Sequence, residues 1–218
     1  MSYNIAIDGP AGAGKSTIAK IVAERLSFIY IDTGAMYRAI AIYFIDNEVN
    51  LDDDEEIINA CSNIDISIKY EGGVQQVILN GENVTSRLRD EEVGRMASIC
   101  SVFAPVREKL VKLQQSLATK EDVVMDGRDI GTVVLPNANV KVYLTASSKA
   151  RAKRRYLELT QKGISCNIEE IEEEIIERDK RDMERKISPL RKAEDAVLVD
   201  SSNLSIEEVV EAITDLIN

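Results

Sequence analysis

The segment GPAGAGKST, residues 9–17, constrains the fold of this 218-residue chain more than any other. It sets Gly9, Gly14, Lys15 and Ser16 at the spacing of a phosphate-binding loop, in which successive backbone N–H groups turn toward one anion. A short β-prone run precedes the segment, and apolar residues at positions 18, 21, 22 and 26 follow it at helical spacing. The sequence therefore predicts a strand, a phosphate-binding loop, and a helix whose N-terminus faces the anion.

Composition excludes several classes of protein. The chain has no histidine, which removes histidine-dependent nucleophilic triads and histidine-ligated zinc sites. The net charge of −11 argues against binding to a nucleic-acid backbone. No apolar run approaches the roughly 20 residues that span a membrane, and the first residues lack the features of a secretory signal. We therefore expect a cytoplasmic protein with no membrane or nucleic-acid partner.

Short apolar runs alternate with helical segments along the chain. They lie at residues 3–8, 28–32, 121–126, 140–146 and 195–200, and this pattern predicts a parallel sheet covered by helices on both faces. Residues 64–85 differ, because they alternate between apolar and polar and contain the pairs Gly72-Gly73 and Asn80-Gly81. They predict a small antiparallel insert, which either carries specificity or only covers the core.

Three further segments place charged side chains near predicted strand or helix ends. In DTGAMYR, residues 32–38, a strand opens into a helix at a glycine, although an ordinary capped helix also fits. MDGRDIGTVV, residues 125–134, sets Arg128 beside Asp129 at the end of a buried strand. In ERDKRDMER, residues 177–185, Arg178, Asp182 and Arg185 are spaced by four and three residues and share one helical face. A surface network of ion pairs is the alternative for this last segment.

Taken together with the loop at residues 9–17, these segments closely resemble the bacterial cytidylate kinases, a branch of the P-loop nucleoside-monophosphate kinases. The resemblance runs from Asn4 to the C-terminal helix. It implies an α/β, three-layer P-loop fold with a five-stranded parallel sheet, a small antiparallel insert that binds CMP, and a helical lid. The single kinase domain would comprise a core at about 1–62, 105–147 and 190–218, the insert at about 63–104 and the lid at about 148–189.

The same resemblance implies a reaction: magnesium-dependent transfer of the γ-phosphoryl group of ATP to CMP or dCMP, by a protein expected to be a monomer. The absence of histidine agrees with this chemistry, because an acceptor phosphate is already anionic and needs no general base. A kinase that prefers UMP or AMP would differ only in the base pocket. A nucleotide-dependent switch or a regulatory nucleotide-binding module is the alternative from another class.

Residues are assigned from the loop motif and from the resemblance. The candidate magnesium ligand is Ser16, with Asp126 as a candidate in the outer shell of that ion, and the candidate catalytic residues are Lys15, Arg128, Arg178 and Arg185. We expect Arg154 or Arg155 to contact ATP, and we select Arg154 as the candidate. The other expected ATP-binding residues are Gly9, Pro10, Ala11, Gly12, Ala13, Gly14, Lys15, Ser16 and Thr17.

The resemblance also assigns the CMP site. Ser98, Arg107 and Asp129 match residues around the cytosine, and Arg178 and Asp182 match a pair near the ribose. The residues matched to the acceptor phosphate or its surroundings are Thr33, Arg38, Arg128 and Arg185. Arg128 and Asp129 leave the backbone in different directions, so we expect one to address the phosphate and the other the base.

Overall fold

The computed structural model describes residues 2–217. Its elements, in chain order, are β1 (Asn4–Asp8), α1 (Lys15–Leu26), β2 (Ile29–Asp32), α2 (Thr33–Asp46), α3 (Asp54–Asn63), β3 (Ile66–Glu71), β4 (Val74–Leu79), β5 (Glu82–Asn83), a 3-10 turn (Thr85–Arg89), α4 (Glu91–Cys100), α5 (Ala104–Ala118), β6 (Val123–Gly127), a π-helical turn (Ile130–Val134), β7 (Val140–Thr145), α6 (Ser148–Gln161), α7 (Ile168–Glu184), β8 (Val197–Asp200) and α8 (Ile206–Thr214).

The described residues form two compact units, one of residues 2–30 and 118–217 and the other of residues 31–117. The five-stranded sheet has the order β2-β6-β1-β7-β8, and β1 pairs in parallel with β6 on one side and β7 on the other. The predicted α/β class and parallel sheet are confirmed. Because β1 is central, the loop that follows it lies at the middle of the carboxyl edge of the sheet.

The core of the first unit lies between one face of this sheet and the helices α1 and α8. Alternation along β1 directs Ile5 and Ile7 into this core, where α1 contributes Ile18 and Val22 and α8 contributes its buried valines. The predicted apolar face of α1 is thus confirmed. Helix α8 begins with a capping box, in which the Ser205 hydroxyl accepts from the Glu208 backbone N–H and the Glu208 carboxylate accepts from the Ser205 backbone N–H.

The second unit contains the small antiparallel sheet in the order β3-β4-β5, as the sequence predicts. Gly72 and Gly73 both have positive φ angles, of 58° and 77°, and Asn80 and Gly81 have φ angles of 48° and 88°. Two successive positive φ angles define the tight turn that matches the twist of a hairpin. Both turn pairs therefore end strands where the sequence placed them. Within residues 2–217, no helix combines the length and apolar character needed to cross a bilayer.

Candidate active site

The loop between β1 and α1 has the geometry of a phosphate cradle. Gly9, Gly12 and Gly14 adopt positive φ angles of 149°, 75° and 90°, and α1 begins at the next residue. A side chain at Gly9 would collide with the backbone carbonyl oxygen of Leu144 in β7. Glycine at this position is therefore required by the packing of the loop on the sheet, and the N-terminus of α1 is left to face an anion.

Lys15 is the first residue of α1, and its side chain is buried. Its ammonium group donates a 2.8 Å hydrogen bond to the carbonyl oxygen of Pro10. Burial and the nearby Arg128 guanidinium lower the pKa of Lys15 to about 7, although Asp126 and Asp8 oppose the shift. An anion bound in the loop would favour the charged ammonium form, which is the form that phosphoryl transfer requires.

Ser16 and Asp126 form a pair of oxygen donors beside Lys15. The Ser16 hydroxyl donates a 2.9 Å hydrogen bond to Asp126, and the Tyr30 hydroxyl donates a second, also of 2.9 Å, to the other carboxylate oxygen. A hydroxyl and a carboxylate are ligands that suit magnesium, which retains waters and phosphate oxygens in its remaining positions. In the described part of the chain, no group of three or more acidic, cysteine or histidine side chains forms a complete metal cage. The pair fits a magnesium ion that is shared with a nucleotide.

The residues of the MDGRDIGTVV segment contact the end of α7. The Arg128 side chain lies 2.9 Å from Asp182, and the nearest atoms of Asp129 and Arg185 lie 3.9 Å apart. Arg128 and Asp129 thus have different partners within the protein. All four side chains are mostly or fully shielded from water, so the opposite charges attract each other more strongly than they would at the surface.

The pKa of Asp182 reflects the nearby arginines. Burial by itself would raise its pKa, but the guanidinium groups of Arg128, Arg178 and Arg185 lower the pKa below the usual value for aspartate. Asp182 is therefore ionised, and the three arginines share its charge. The structure thus brings three of the predicted site residues of the first unit together around a fourth, Asp182.

The spacing predicted that Arg178, Asp182 and Arg185 share one helical face. This prediction is wrong for Arg185, which lies just beyond the end of the helix. Helix α7 ends at Glu184, and Arg185 is extended, with φ −60° and ψ 139°. The chain turns there because Ser188 adopts a positive φ of 50° and Pro189 follows it. The Arg185 side chain donates to the carbonyl oxygen of Ser188. It reaches Asp129 from the turn after the helix and not from the helix itself.

The two candidate ATP-binding arginines of α6 occupy different environments. Arg154 donates to both the carbonyl and the hydroxyl oxygen of Ser201 and lies 3.5 Å from the carbonyl oxygen of Ala13 in the phosphate loop. Arg155 pairs instead with Glu158 on the surface, where both side chains are about half exposed. Arg154 is therefore the arginine that lies against the loop.

The predicted CMP-binding residues of the second unit lie on three of its helices. Asp32 caps α2 by accepting a 3.0 Å hydrogen bond from the Ala35 backbone N–H. Thr33 is buried in the first turn of α2, and Arg38 lies on its second turn. Ser98 is half-buried in α4. Arg107, buried in α5, donates to the carbonyl oxygen of Ser101 at the end of α4, and its guanidinium group lies 5.7 Å from the Tyr37 ring centre.

Comparison with known proteins decides the family. The sequence profile described as cytidylate kinase matches residues 5–218. The cytidylate kinase of Caldicellulosiruptor saccharolyticus is 52% identical over 213 residues, which cover 98% of this chain and 94% of that protein. The cytidylate kinase of Bacillus subtilis is 52% identical over 214 residues, which cover 98% of this chain and 96% of that protein.

The chain belongs to the cytidylate kinase family. The fold is also similar to a solved structure of low sequence identity, an uncharacterized protein from Eubacterium ventriosum. That match has a TM-score of 0.54 and 12% identity, and it covers 99% of this chain and 98% of the other. It supports the fold alone.

Sequence reasoning missed three residues that organise this member of the cytidylate kinase family. Tyr30 holds Asp126, Asp8 accepts hydrogen bonds from the loop after β6, and Asp179 lies 2.6 Å from Arg151. The one available signal was Asp8, because an acidic residue at the end of an otherwise apolar strand needs a polar partner.

Proposed function

We propose that this protein transfers the γ-phosphoryl group of ATP to CMP and dCMP, producing ADP with CDP or dCDP. Its membership of the cytidylate kinase family supports the reaction. The observation that carries the proposal is the pairing of a phosphate loop, with Lys15 buried at its end, with a water-shielded arginine cluster in the same unit. One part suits a phosphate donor, and the other suits a second anion.

The chemistry follows from charge and position. The oxygen of the acceptor phosphate is already an anion, so the reaction needs positive charge around the migrating group and in-line alignment, without a proton acceptor. We assign the first task to Lys15 together with Arg128, Arg178 and Arg185. In a buried site these charges stabilise the transition state more strongly than they would in water.

We assign the phosphate loop, residues 9–17, to ATP. Its backbone N–H groups and the N-terminus of α1 would bind the phosphates, and Arg154 would reach them from α6, because it already lies against Ala13. Ser16 would ligate magnesium, and Asp126 would hold Ser16 and a water of the ion through hydrogen bonds. Magnesium would, when bound, supply positive charge to the phosphates of the nucleotide.

We assign CMP to the residues that the family resemblance matches. Asp129 accepts from the amino group of cytosine, Ser98 and Arg107 complete the base pocket, and Arg178 and Asp182 bind the ribose. The residues proposed for the acceptor phosphate and its surroundings are Thr33, Arg38, Arg128 and Arg185. The half-buried or buried state of these side chains supports the assignment, because specificity for a polar base requires hydrogen-bond partners shielded from water.

We propose that α6, α7 and the turn after them act as a lid, which excludes water when both nucleotides are bound. We also propose that the enzyme works as a monomer in the cytoplasm. Three free thiols, at Cys61, Cys100 and Cys166, support a reducing compartment. The net charge of −11 supports small nucleotides as partners in preference to nucleic acid.

Measurement of ADP release with ATP, magnesium and a panel of CMP, dCMP, UMP and AMP tests the proposal. We expect the cytidine nucleotides to have the highest kcat/KM. Comparable kcat/KM for AMP and CMP would overturn the choice of base. Slow ATP hydrolysis that no added monophosphate stimulates would instead favour a nucleotide-dependent switch.

A further inference from the structure

Asp8 is a buried carboxylate that the proposed reaction does not use. It is the last residue of β1, and only 4% of its surface is exposed. One carboxylate oxygen accepts a 2.7 Å hydrogen bond from the Ile130 backbone N–H, and the other accepts one of 2.7 Å from the Gly131 N–H. Both bonds cross from the central strand to a segment more than a hundred residues later in the chain.

These two N–H groups begin the π-helical turn. The first N–H groups of a helical turn have no partner within the turn, and a side chain normally caps them from the residue just before. Here Asp129, at that position, makes no such capping bond. Asp8 supplies the cap from another strand. The Asp129 side chain faces Arg185 and does not cap the turn.

Close packing around Gly131 also fixes the position of the π-helical turn. A Cβ atom at Gly131 would lie 3.1 Å from Cδ of Lys141 and 3.4 Å from a carboxylate oxygen of Asp8. The Lys141 ammonium group donates to the carbonyl oxygen of Pro136 and pairs with Asp195 at 2.7 Å. Asp8 therefore holds the start of the segment at residues 130–136, and Lys141 holds its end.

We propose that Asp8 is a positioning residue that sets the direction of the Asp129 and Arg128 side chains and thereby the preference for cytosine. Both residues lie between Gly127, which pairs with Asp8 in the sheet, and the Ile130 N–H that Asp8 binds. A shift of that N–H would rotate the short intervening backbone and move Asp129 relative to the base. This inference rests on the proposed reaction with CMP.

The test compares kcat/KM for CMP and UMP in Asp8→Asn and Gly131→Ala. In Asp8→Asn, the asparagine presents one acceptor oxygen to two N–H donors. Gly131→Ala keeps the Asp8 charge near Lys15, but the new Cβ atom displaces the neighbouring atoms of Lys141 and Asp8 by a few tenths of an ångström. We expect the CMP-to-UMP ratio to fall roughly tenfold in Asp8→Asn, the effect of losing one hydrogen bond to a charged group. We expect a smaller fall in Gly131→Ala and an unchanged ratio in Lys112→Met, at an exposed position of α5.

A double-mutant cycle separates positioning from a general loss of activity. In an Asp129→Asn background, Asp8→Asn should change the base preference by less than twofold, because it acts through Asp129. A ratio within twofold of the wild type in folded Asp8→Asn overturns the proposal. If Asp8→Asn does not fold, an unchanged ratio in Gly131→Ala overturns it instead.

A measurement without substrate distinguishes this inference from the proposed reaction. The amide proton resonances of Ile130 and Gly131 should move upfield in Asp8→Asn, because each loses a short bond to a carboxylate. If the wild type does not phosphorylate CMP, the proposed function fails, while these resonances still report whether Asp8 holds the turn. Unchanged resonances would overturn the positioning role directly.

Discussion

The guanidinium group of Arg151 lies 2.6 Å from the Asp179 carboxylate, and the two side chains are only 6% and 13% exposed. Arg151 also donates to the carbonyl oxygens of Ala11, in the phosphate loop, and Ala146, just after β7. One side chain thus joins helix α7, the phosphate loop and the end of a strand. Its removal would leave a buried carboxylate and two carbonyl groups without this partner.

Replacement of Arg151 should therefore destabilise the fold. We expect Arg151→Met to lower the free energy of unfolding by about 3–5 kcal/mol, since breaking a buried ion pair leaves an uncompensated charge. Urea titration followed by circular dichroism measures this difference. Arg155→Met is the matched control on the same helix, and we expect it to cost no more than about 1 kcal/mol because its pair with Glu158 is exposed. Equal losses in the two variants would contradict the role of Arg151.

Lys15→Ala should abolish most activity while the protein stays folded. We expect kcat to fall by at least about a hundredfold, the typical effect of removing one preorganised charge that faces the transition state. Steady-state kinetics with saturating ATP and CMP measures the loss. Lys112→Ala, at an exposed position of α5, should leave kcat within about twofold. A small effect of Lys15→Ala would indicate that the donor phosphates do not bind at this loop.

The parts of the site that the sequence predicted are those built from neighbouring residues. The loop from Gly9 to Ser16 and the hairpin turns follow from local backbone preferences, and family resemblance supplied the arginines. Tyr30, Asp8 and Asp179 were missed because their partners are distant in sequence: Asp8 contacts Ile130, for example. The pairing of β1 with β6 brings Asp8 to this segment, and no local pattern specifies that pairing.

The end of α7 shows a second feature that the sequence could not predict. The spacing of Arg178, Asp182 and Arg185 correctly placed the first two on one helix, but a periodic pattern carries no information about where the last turn opens. The helix ended before Arg185, five residues before Pro189. The contact between Arg185 and Asp129 therefore depends on the loop conformation, which the helical period could not predict.

Asp129→Asn should weaken the preference for cytosine. The substitution keeps the size of the side chain but replaces one acceptor with a donor, which suits the carbonyl group of uracil and opposes the amino group of cytosine. We expect the ratio of kcat/KM for CMP to that for UMP to fall by roughly 10-fold to 100-fold. Asp195→Asn, at an exposed position, should leave the ratio unchanged. A constant ratio in Asp129→Asn would show that another residue reads the base.

The pH dependence of stability should change in Asp8→Asn. Burial raises the pKa of Asp8 from 3.8 to about 6, so the folded protein retains a proton that the unfolded chain releases between these values. The wild type should therefore lose up to about 3 kcal/mol of stability relative to Asp8→Asn as the pH rises from 4 to above 6. Urea titrations at several pH values measure the difference. Parallel curves for the two proteins would contradict a raised pKa.

Gly9→Ala should be far more harmful than alanine at another glycine. The new Cβ would meet the backbone carbonyl of Leu144, which cannot move without bending β7, and a φ of 149° is itself unfavourable for alanine. We expect a loss of more than about 4 kcal/mol or failure to fold, measured by thermal unfolding. Gly94→Ala, in α4 with open space around it, should instead stabilise the helix by about 0.5–1 kcal/mol. Similar melting temperatures for both variants would contradict this account of the loop.

The central position of β1 affects the order in which the protein can assemble. Its hydrogen-bonding partners begin at Val123 on one side and Val140 on the other, so the first strand has no neighbour until most of the chain has been synthesised. Residues 31–117, by contrast, form a continuous unit with its own contacts. On the ribosome, the segment that carries the phosphate loop would be synthesised before residues 31–117 but reach its native form after them, exposed meanwhile to chaperones and proteases.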